Sequence, residues 1–166
     1  NSGDMTLGLS TGAPAYEGFQ GIEWANGQTY NNIRAILPMY PSYFHWWGPT
    51  SAGVQSLEDM NGKIIALGPK GGTPDTYGRR VLDFMNVEPQ RIVNVGFSDV
   101  VGQLRDGLVD SALNTAGLPH PSVLESESTG DIDIVGVPSD QAAVFIEQSP
   151  YFSTATIPAE TYESLD

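Results

Sequence analysis

Apolar residues fall into short runs separated by mixed polar stretches, and the alternation is most regular from residue 56 onward. The run KIIALG (63–68) reads as a strand, followed by a helix over 74–86, a strand over 91–96, a helix over 98–107 and a strand over 109–115. A helix over 120–127, a strand over 131–137 and a helix over 139–147 complete the series. Strands spaced by helices of this length predict parallel βαβ units, with helices covering the faces of the sheet. Ser56 is placed to cap a short helix ending at Gly62.

Before residue 56 the pattern is looser. DMTLGL (4–9) is a strand-like run ended by Ser10, Thr11 and Gly12, and 13–25 reads as a helix weakened by Pro14, Gly18 and Gly21. Residues 32–47 read as two strands broken at Met39-Tyr40-Pro41, because proline cannot donate to a ladder. Gly48, Pro49, Ser51 and Gly53 form a linker-like interruption. The tail from Pro150 reads as a short, aromatic-dotted segment leaving the domain. No internal repeat, low-complexity tract or heptad pattern is present.

Composition narrows the function classes. Seven basic residues face 20 acids, for a net charge of −13, and such a surface repels phosphate backbones and anionic lipid. Nucleic-acid binding and peripheral membrane binding are therefore disfavoured. No apolar run approaches the roughly 20 residues that cross a bilayer. The absence of cysteine removes disulfides, thiolate metal sites and cysteine nucleophiles, and it suits an extracytoplasmic chain. The opening at Asn1 rather than methionine is read as processing or trimming.

The candidate chemistry lies where strands end. IIALGPKGGTPD (64–75) is a strand, a glycine-rich loop and a helix start, an order that turns backbone N–H groups and a positive helix end toward one spot. Gly71 and Gly72 allow close backbone approach, Thr73 is placed to cap the helix and Pro74 suits its first turn. The spacing fits neither the P-loop nor the dinucleotide fingerprint. Two readings stand: a small-anion or polar-ligand site, or an ordinary tight turn with a good cap. DSALNTAGLPHP (110–121) repeats the logic, with Asn114 at the strand's end as a ligand contact or a turn residue. Tyr40 and Ser10 end two further strand-like runs, so four loops can line one cleft beyond the carboxyl ends of the strands. His45 and His120 have no partner at catalytic or metal spacing and read as structural. Asp131/Asp133 and Asp106/Asp110 read as edge and loop acids, and Trp46 and Trp47 as packing rather than a stacking platform. No catalytic residue, metal site or cofactor is expected.

Taken together, IRAILPMYPSYFHWW, SLEDMNGKIIALGPKGGTPDTYGRRVLDFM, QLRDGLVDSALNTAGLPHPSVLE and SPYFSTATIPAETYE resemble the TAXI solute-binding proteins of TRAP transporters over nearly the whole chain. The landmarks are Asp59, Gly62, Lys63, Gly68, Gly71, Leu104, Asp106, Gly107, Asp110, Ala112, Ile157, Pro158 and Tyr162. The resemblance implies an α/β, type II periplasmic-binding-protein-like fold, with a mostly parallel sheet flanked by helices and two lobes closing on a small solute. One lobe would be nearly complete and the other partial: 1–49 part of lobe one, 50–148 lobe two, 149–166 a return to lobe one. It implies a periplasmic receptor for a small carboxylate, such as a dicarboxylate or glutamate, that docks on a TRAP-type permease without entering the membrane.

Two departures qualify the resemblance. Gly71-Gly72-Thr73-Pro74-Asp75 stands where the family reads Gly-Ser-Gly-Thr-Glu, which moves the threonine one place early and removes one N–H donor. The family's chains are also longer, so elements would precede Asn1 and follow Asp166. The site implied comprises Gly71, Gly72 and Thr73, then Asn114, Gly117 and Pro119, with Tyr40 and Ser10 from lobe one. Arg34 is the only arginine near the lobe-one strands. The rival readings are an enzyme of the same fold, thiamine-pyrimidine-synthesis-like or dehydratase-like, and an effector-sensing domain of a regulator.

Overall fold

A computed structural model describes residues 7–165. The described chain contains α1 (Gly12–Gln20), β1 (Tyr43–Pro49), β2 (Ile64–Leu67), α2 (Thr73–Phe84), β3 (Arg91–Asn94), α3 (Val100–Arg105), β4 (Ser111–Ala116), α4 (Pro121–Thr129), β5 (Ile132–Val135) and α5 (Ser139–Gln148). The strands form one sheet in the order β3-β2-β4-β1-β5. β2 runs parallel to β3 and β4, whereas β1 runs antiparallel to both β4 and β5. The α/β class expected from the alternating pattern is therefore present, with one reversed strand threaded through an otherwise parallel sheet.

Each face of the sheet carries its own core. Successive strand residues point to opposite faces, so Trp46 and Trp47 part company. Trp46 joins Ile65, Leu67, Leu113, Val81 and Leu82 on the α2 side. Trp47 joins Ala66, Ala112, Val100, Val101, Leu104 and Val123 on the α3–α4 side. Both indoles are essentially excluded from solvent, as their reading as packing residues requires. On α2, Tyr77, Gly78, Val81 and Leu82 are buried, the spacing of a single helix face. Gly78 is needed for close approach, since a Cβ there would lie 2.6 Å from Leu113 Cδ2.

Several expectations change. β1 lies between β4 and β5, in the same sheet as the strands that follow it. The strand expected over 32–38 does not form. Ile33, Ile36, Leu37 and Met39 are exposed, and an apolar run becomes a strand only when it finds an edge to pair with. Of the strand expected over 4–9, residues 4–6 lie outside the described residues, and 7–9 carry no strand. The helix over 13–25 stops at Gly21, in the left-handed region at φ 74°, and a separate turn covers Glu23–Ala25. Only a short turn over Glu58–Met60 follows Ser56, whose cap is nonetheless reciprocal. The Asp59 N–H donates to Ser56 Oγ, and the Ser56 N–H donates to Asp59 Oδ2.

Candidate functional site

The parallel strands β2, β3 and β4 end at Leu67, Asn94 and Ala116, with Gly68 and Asn114 beside the start of α2. Asn94 Nδ2 donates to the Gly68 carbonyl at 2.9 Å, tying two of these ends together. A Cβ on Gly68 would collide with Pro74 and lie 3.1 Å from Asn114 Oδ1. Only glycine lets the Asn114 carboxamide and the first turn of α2 meet there. Asn114 is 1% exposed, and among the described residues its Nδ2 has no hydrogen-bond partner. A buried amide donor without a partner carries a free-energy penalty that a ligand acceptor would relieve.

The start of α2 differs from expectation in one respect. Thr73 is the first helical residue rather than the cap; Gly72 holds the cap position, with no side-chain cap. The Thr73 hydroxyl is thereby released and meets the Thr11 hydroxyl at 2.9 Å. Thr11 is itself the N-cap of α1 and also lacks a side-chain cap bond. The two helix starts thus converge, and each brings uncapped first-turn amides to a shared place. Part of this donor set is already used. The Gly71 N–H donates to Asp75 Oδ2 at 2.9 Å, and the second Asp75 oxygen accepts from Arg79 Nε. Burial alone would raise the Asp75 carboxyl. Hydrogen bonds from Asn94, the Gly71 amide and Arg79, with the Arg79 charge, outweigh it and hold the group below the ordinary carboxylate range. Among the described residues the Thr73 and Asp75 amides have no acceptor within the chain.

The other expected residues divide. Tyr40 and Gly117 are brought together: the Tyr40 ring lies 2.9 Å from where a Gly117 Cβ would stand. Pro119 follows a cis Leu118–Pro119 peptide in the same loop and is exposed. Ser10 turns its hydroxyl to the Thr11 carbonyl, and it is the neighbouring Thr11 that reaches Thr73. Arg34 is bonded to the carbonyls of Asn31 and Ile33. Thr11 and Asn94 lie outside the expected set; the sequence signal for Thr11 is its place just before a helix start.

The histidines serve structure. His120 caps α4, its Nδ1 accepting from the Ser122 N–H at 3.1 Å. His45 is fully buried and bonded to the Tyr43 carbonyl and to Tyr162. Two open hollows lie away from the starts of α1 and α2. One, of about 490 Å³, is lined by Gln55–Glu58, Met85 and 136–139, and the other, of about 570 Å³, by Phe19, Asn31 and 33–35. Where Thr11 touches Thr73, the chain's own hydroxyls fill the space. Among the described residues no cluster of His, Asp and Glu has metal-binding geometry, and no helix is long and apolar enough to cross a membrane.

The sequence profile of the NMT1-like family matches residues 1–166. Among solved structures, the chain is similar to an ancestral arginine-binding protein bound to arginine, at 21% identity over 58% of this chain and 42% of that one, with a TM-score of 0.46. It is similar to the amino acid ABC transporter substrate-binding protein AbpA from Streptococcus pneumoniae Canada MDR_19A bound to L-arginine, at 20% identity over 61% and 41%, TM-score 0.47. It is also similar to an ABC transporter/periplasmic binding protein from Brucella ovis with glutathione bound, at 13% identity over 59% and 31%, TM-score 0.48. The chain spans less than half the length of each of these structures.

Proposed function

The chain belongs to the NMT1-like family over its whole sequence, and from that premise we propose that it is part of an extracytoplasmic solute receptor. The receptor has two lobes of the type II periplasmic-binding-protein kind. It holds a small carboxylate, such as glutamate or a dicarboxylate, and delivers it to a TRAP-type permease. The observation that carries this reading is the 2.9 Å approach of the Thr11 and Thr73 hydroxyls at the starts of α1 and α2. A carboxylate replacing that contact would accept from both hydroxyls and from first-turn amides. Hydrogen bonds to a charged acceptor contribute about 1.5–3 kcal/mol each. Asn114 Nδ2 and the Tyr40–Gly117 wall would complete the grip.

Binding without chemistry fits the site best. His45 and His120 already have hydrogen-bond partners within the fold, and the Asp75 carboxylate in the first turn of α2 is engaged by the Gly71 amide and Arg79. Release and capture would then follow an open–closed equilibrium biased by the solute. Isothermal titration with L-glutamate, 2-oxoglutarate and succinate tests the reading, with L-arginine as the cationic control. Heat from the acidic compounds and none from arginine is expected. No heat from any acidic compound, with a folded chain, overturns the carboxylate assignment.

A further inference from the structure

Glu17 sits in α1 with no exposure to solvent, and the solute-binding reading makes no use of it. Three side chains surround its carboxylate. Tyr77 Oη donates to Oε2 at 2.9 Å, Tyr151 Oη donates to Oε1 at 2.7 Å and Arg80 Nη1 donates to Oε1 at 2.5 Å. Arg80 reaches further, to Tyr151 Oη at 3.1 Å and to Glu23 at 3.4 Å, and its guanidinium lies 4.8 Å over the Tyr77 ring. Burial pulls the Arg80 guanidinium down, but the Glu17 hydrogen bond and the charges of Glu17 and Glu23 hold it up. Burial, then the hydrogen bond to Glu17, push both the Tyr77 and the Tyr151 phenols up, so both remain donors.

The placement of this cluster is what makes it informative. It joins α1, α2 and the segment after α5, three parts of the chain distant in sequence. Neither apolar core takes in a residue of α1. Thr73, Tyr77 and Arg80 follow at i, i+4 and i+7 on one face of α2, and that face meets Thr11 at one end and Glu17 further along. The two helices therefore lie side by side with their starts together. Their positive ends are adjacent, an arrangement that repels unless something else fixes it.

We propose that Glu17, Tyr77, Arg80 and Tyr151 form a latch that holds α1 against α2 and thereby sets the separation of Thr11 and Thr73. The four are positioning residues, and the inference rests on the solute-binding reading only for its consequence, since the latch itself is a statement about two helices. The chain contains no cysteine, so a Thr11→Cys/Thr73→Cys pair reports their approach without background. In otherwise wild-type protein the pair is expected to form a disulfide readily under mild oxidation. Adding Glu17→Gln should slow that reaction about tenfold, since a hydrogen bond to a charged group is worth roughly that factor or more, and adding Tyr151→Phe, which leaves Tyr77 and Arg80 on the carboxylate, should slow it less. Tyr151→Phe also keeps the test usable should Glu17→Gln fail to fold. Unchanged cross-linking rates in a variant with native circular dichroism overturn the latch. Absence of L-glutamate binding would sink the receptor reading instead, and leaves this measurement standing.

Discussion

The Tyr162 hydroxyl stands 2.9 Å from His45 Nε2 and 2.6 Å from the His120 backbone nitrogen. His45 Nδ1 faces the Tyr43 carbonyl, which can only accept, so Nδ1 carries the proton and Nε2 receives the Tyr162 O–H. One phenol therefore fastens the last described segment to β1 and to the start of α4, and its donation to His45 requires the neutral ring.

That requirement makes stability depend on pH. Burial first, and then the neighbouring His120, lower the His45 pKa from 6.5 to about 4, with the Tyr43 carbonyl pulling weakly the other way. Burial lowers His120 as well. A base whose folded pKa is depressed binds protons less readily folded than unfolded. Its contribution is complete above pH 6.5 and is lost as the pH falls toward 4. A shift of this size corresponds to about 3 kcal/mol. Asp59 and Asp75, held below 3.8, lose their contributions only as the pH falls further. The melting temperature should drop between pH 7 and 4.5, and the drop should shrink in His45→Gln. Parallel profiles for the two proteins would show that His45 is not the titrating group.

Replacing the Thr73 hydroxyl tests the convergence of the helix starts. Thr73→Val keeps the shape and removes one donor, so L-glutamate affinity measured by titration should fall about tenfold. Thr11→Val should act similarly, and the double variant should cost less than the sum, because the two hydroxyls share one acceptor. Stability should hardly change, as the pair is only part-buried. Undiminished affinity in both single variants would place the solute elsewhere.

Much of this arrangement is legible in the sequence. The βαβ series from Ile64 to Val135 follows from alternation of apolar runs with helix-length stretches, and the loop at Gly68–Thr73 announces itself by composition. What failed depended on distance in the chain. β1 reads only as the second of two strands broken at Met39-Tyr40-Pro41, yet its Trp46 and Trp47 buttress both faces of the sheet. Thr73 looks like a cap because threonine before proline usually is one, but Gly72 occupies that place. Thr11 was hidden because its partner is 62 residues away, and the Glu17 cluster because buried charge is invisible until its donors are assembled.

Trp47 offers a clean measure of one buried hydrogen bond. Its Nε1 donates to Ser126 Oγ at 2.9 Å, and that hydroxyl donates onward to the Ser122 carbonyl at 2.8 Å. Ser126→Ala leaves the indole N–H without a partner in a dry core, which costs about 1–3 kcal/mol. Ser128 bonds only the Glu125 carbonyl at the surface, so Ser128→Ala should change urea unfolding within about 0.5 kcal/mol. Equal midpoints for the two variants would mean that water replaces the lost serine.

Two glycines should respond to alanine with opposite signs. Gly48 lies in β1, where a Cβ would run into the Asp110 carbonyl and lie 3.2 Å from Ser111 Cα. Both obstacles are backbone, one in the first residue of β4 and one in the residue just before it, and cannot rotate away. Gly48→Ala must therefore spread β1 from β4, at the cost of about 1–3 kcal/mol typical of overpacking. Gly102 lies inside α3, has open space around its Cβ position and has no positive φ. There alanine adds no clash and restricts the unfolded chain, so Gly102→Ala should stabilise by up to about 1 kcal/mol. Chemical denaturation of both variants decides the matter. A stabilised Gly48→Ala would mean that β1 does not pair with β4 as described, and with it the placement of His45 beside Asn114 would fall.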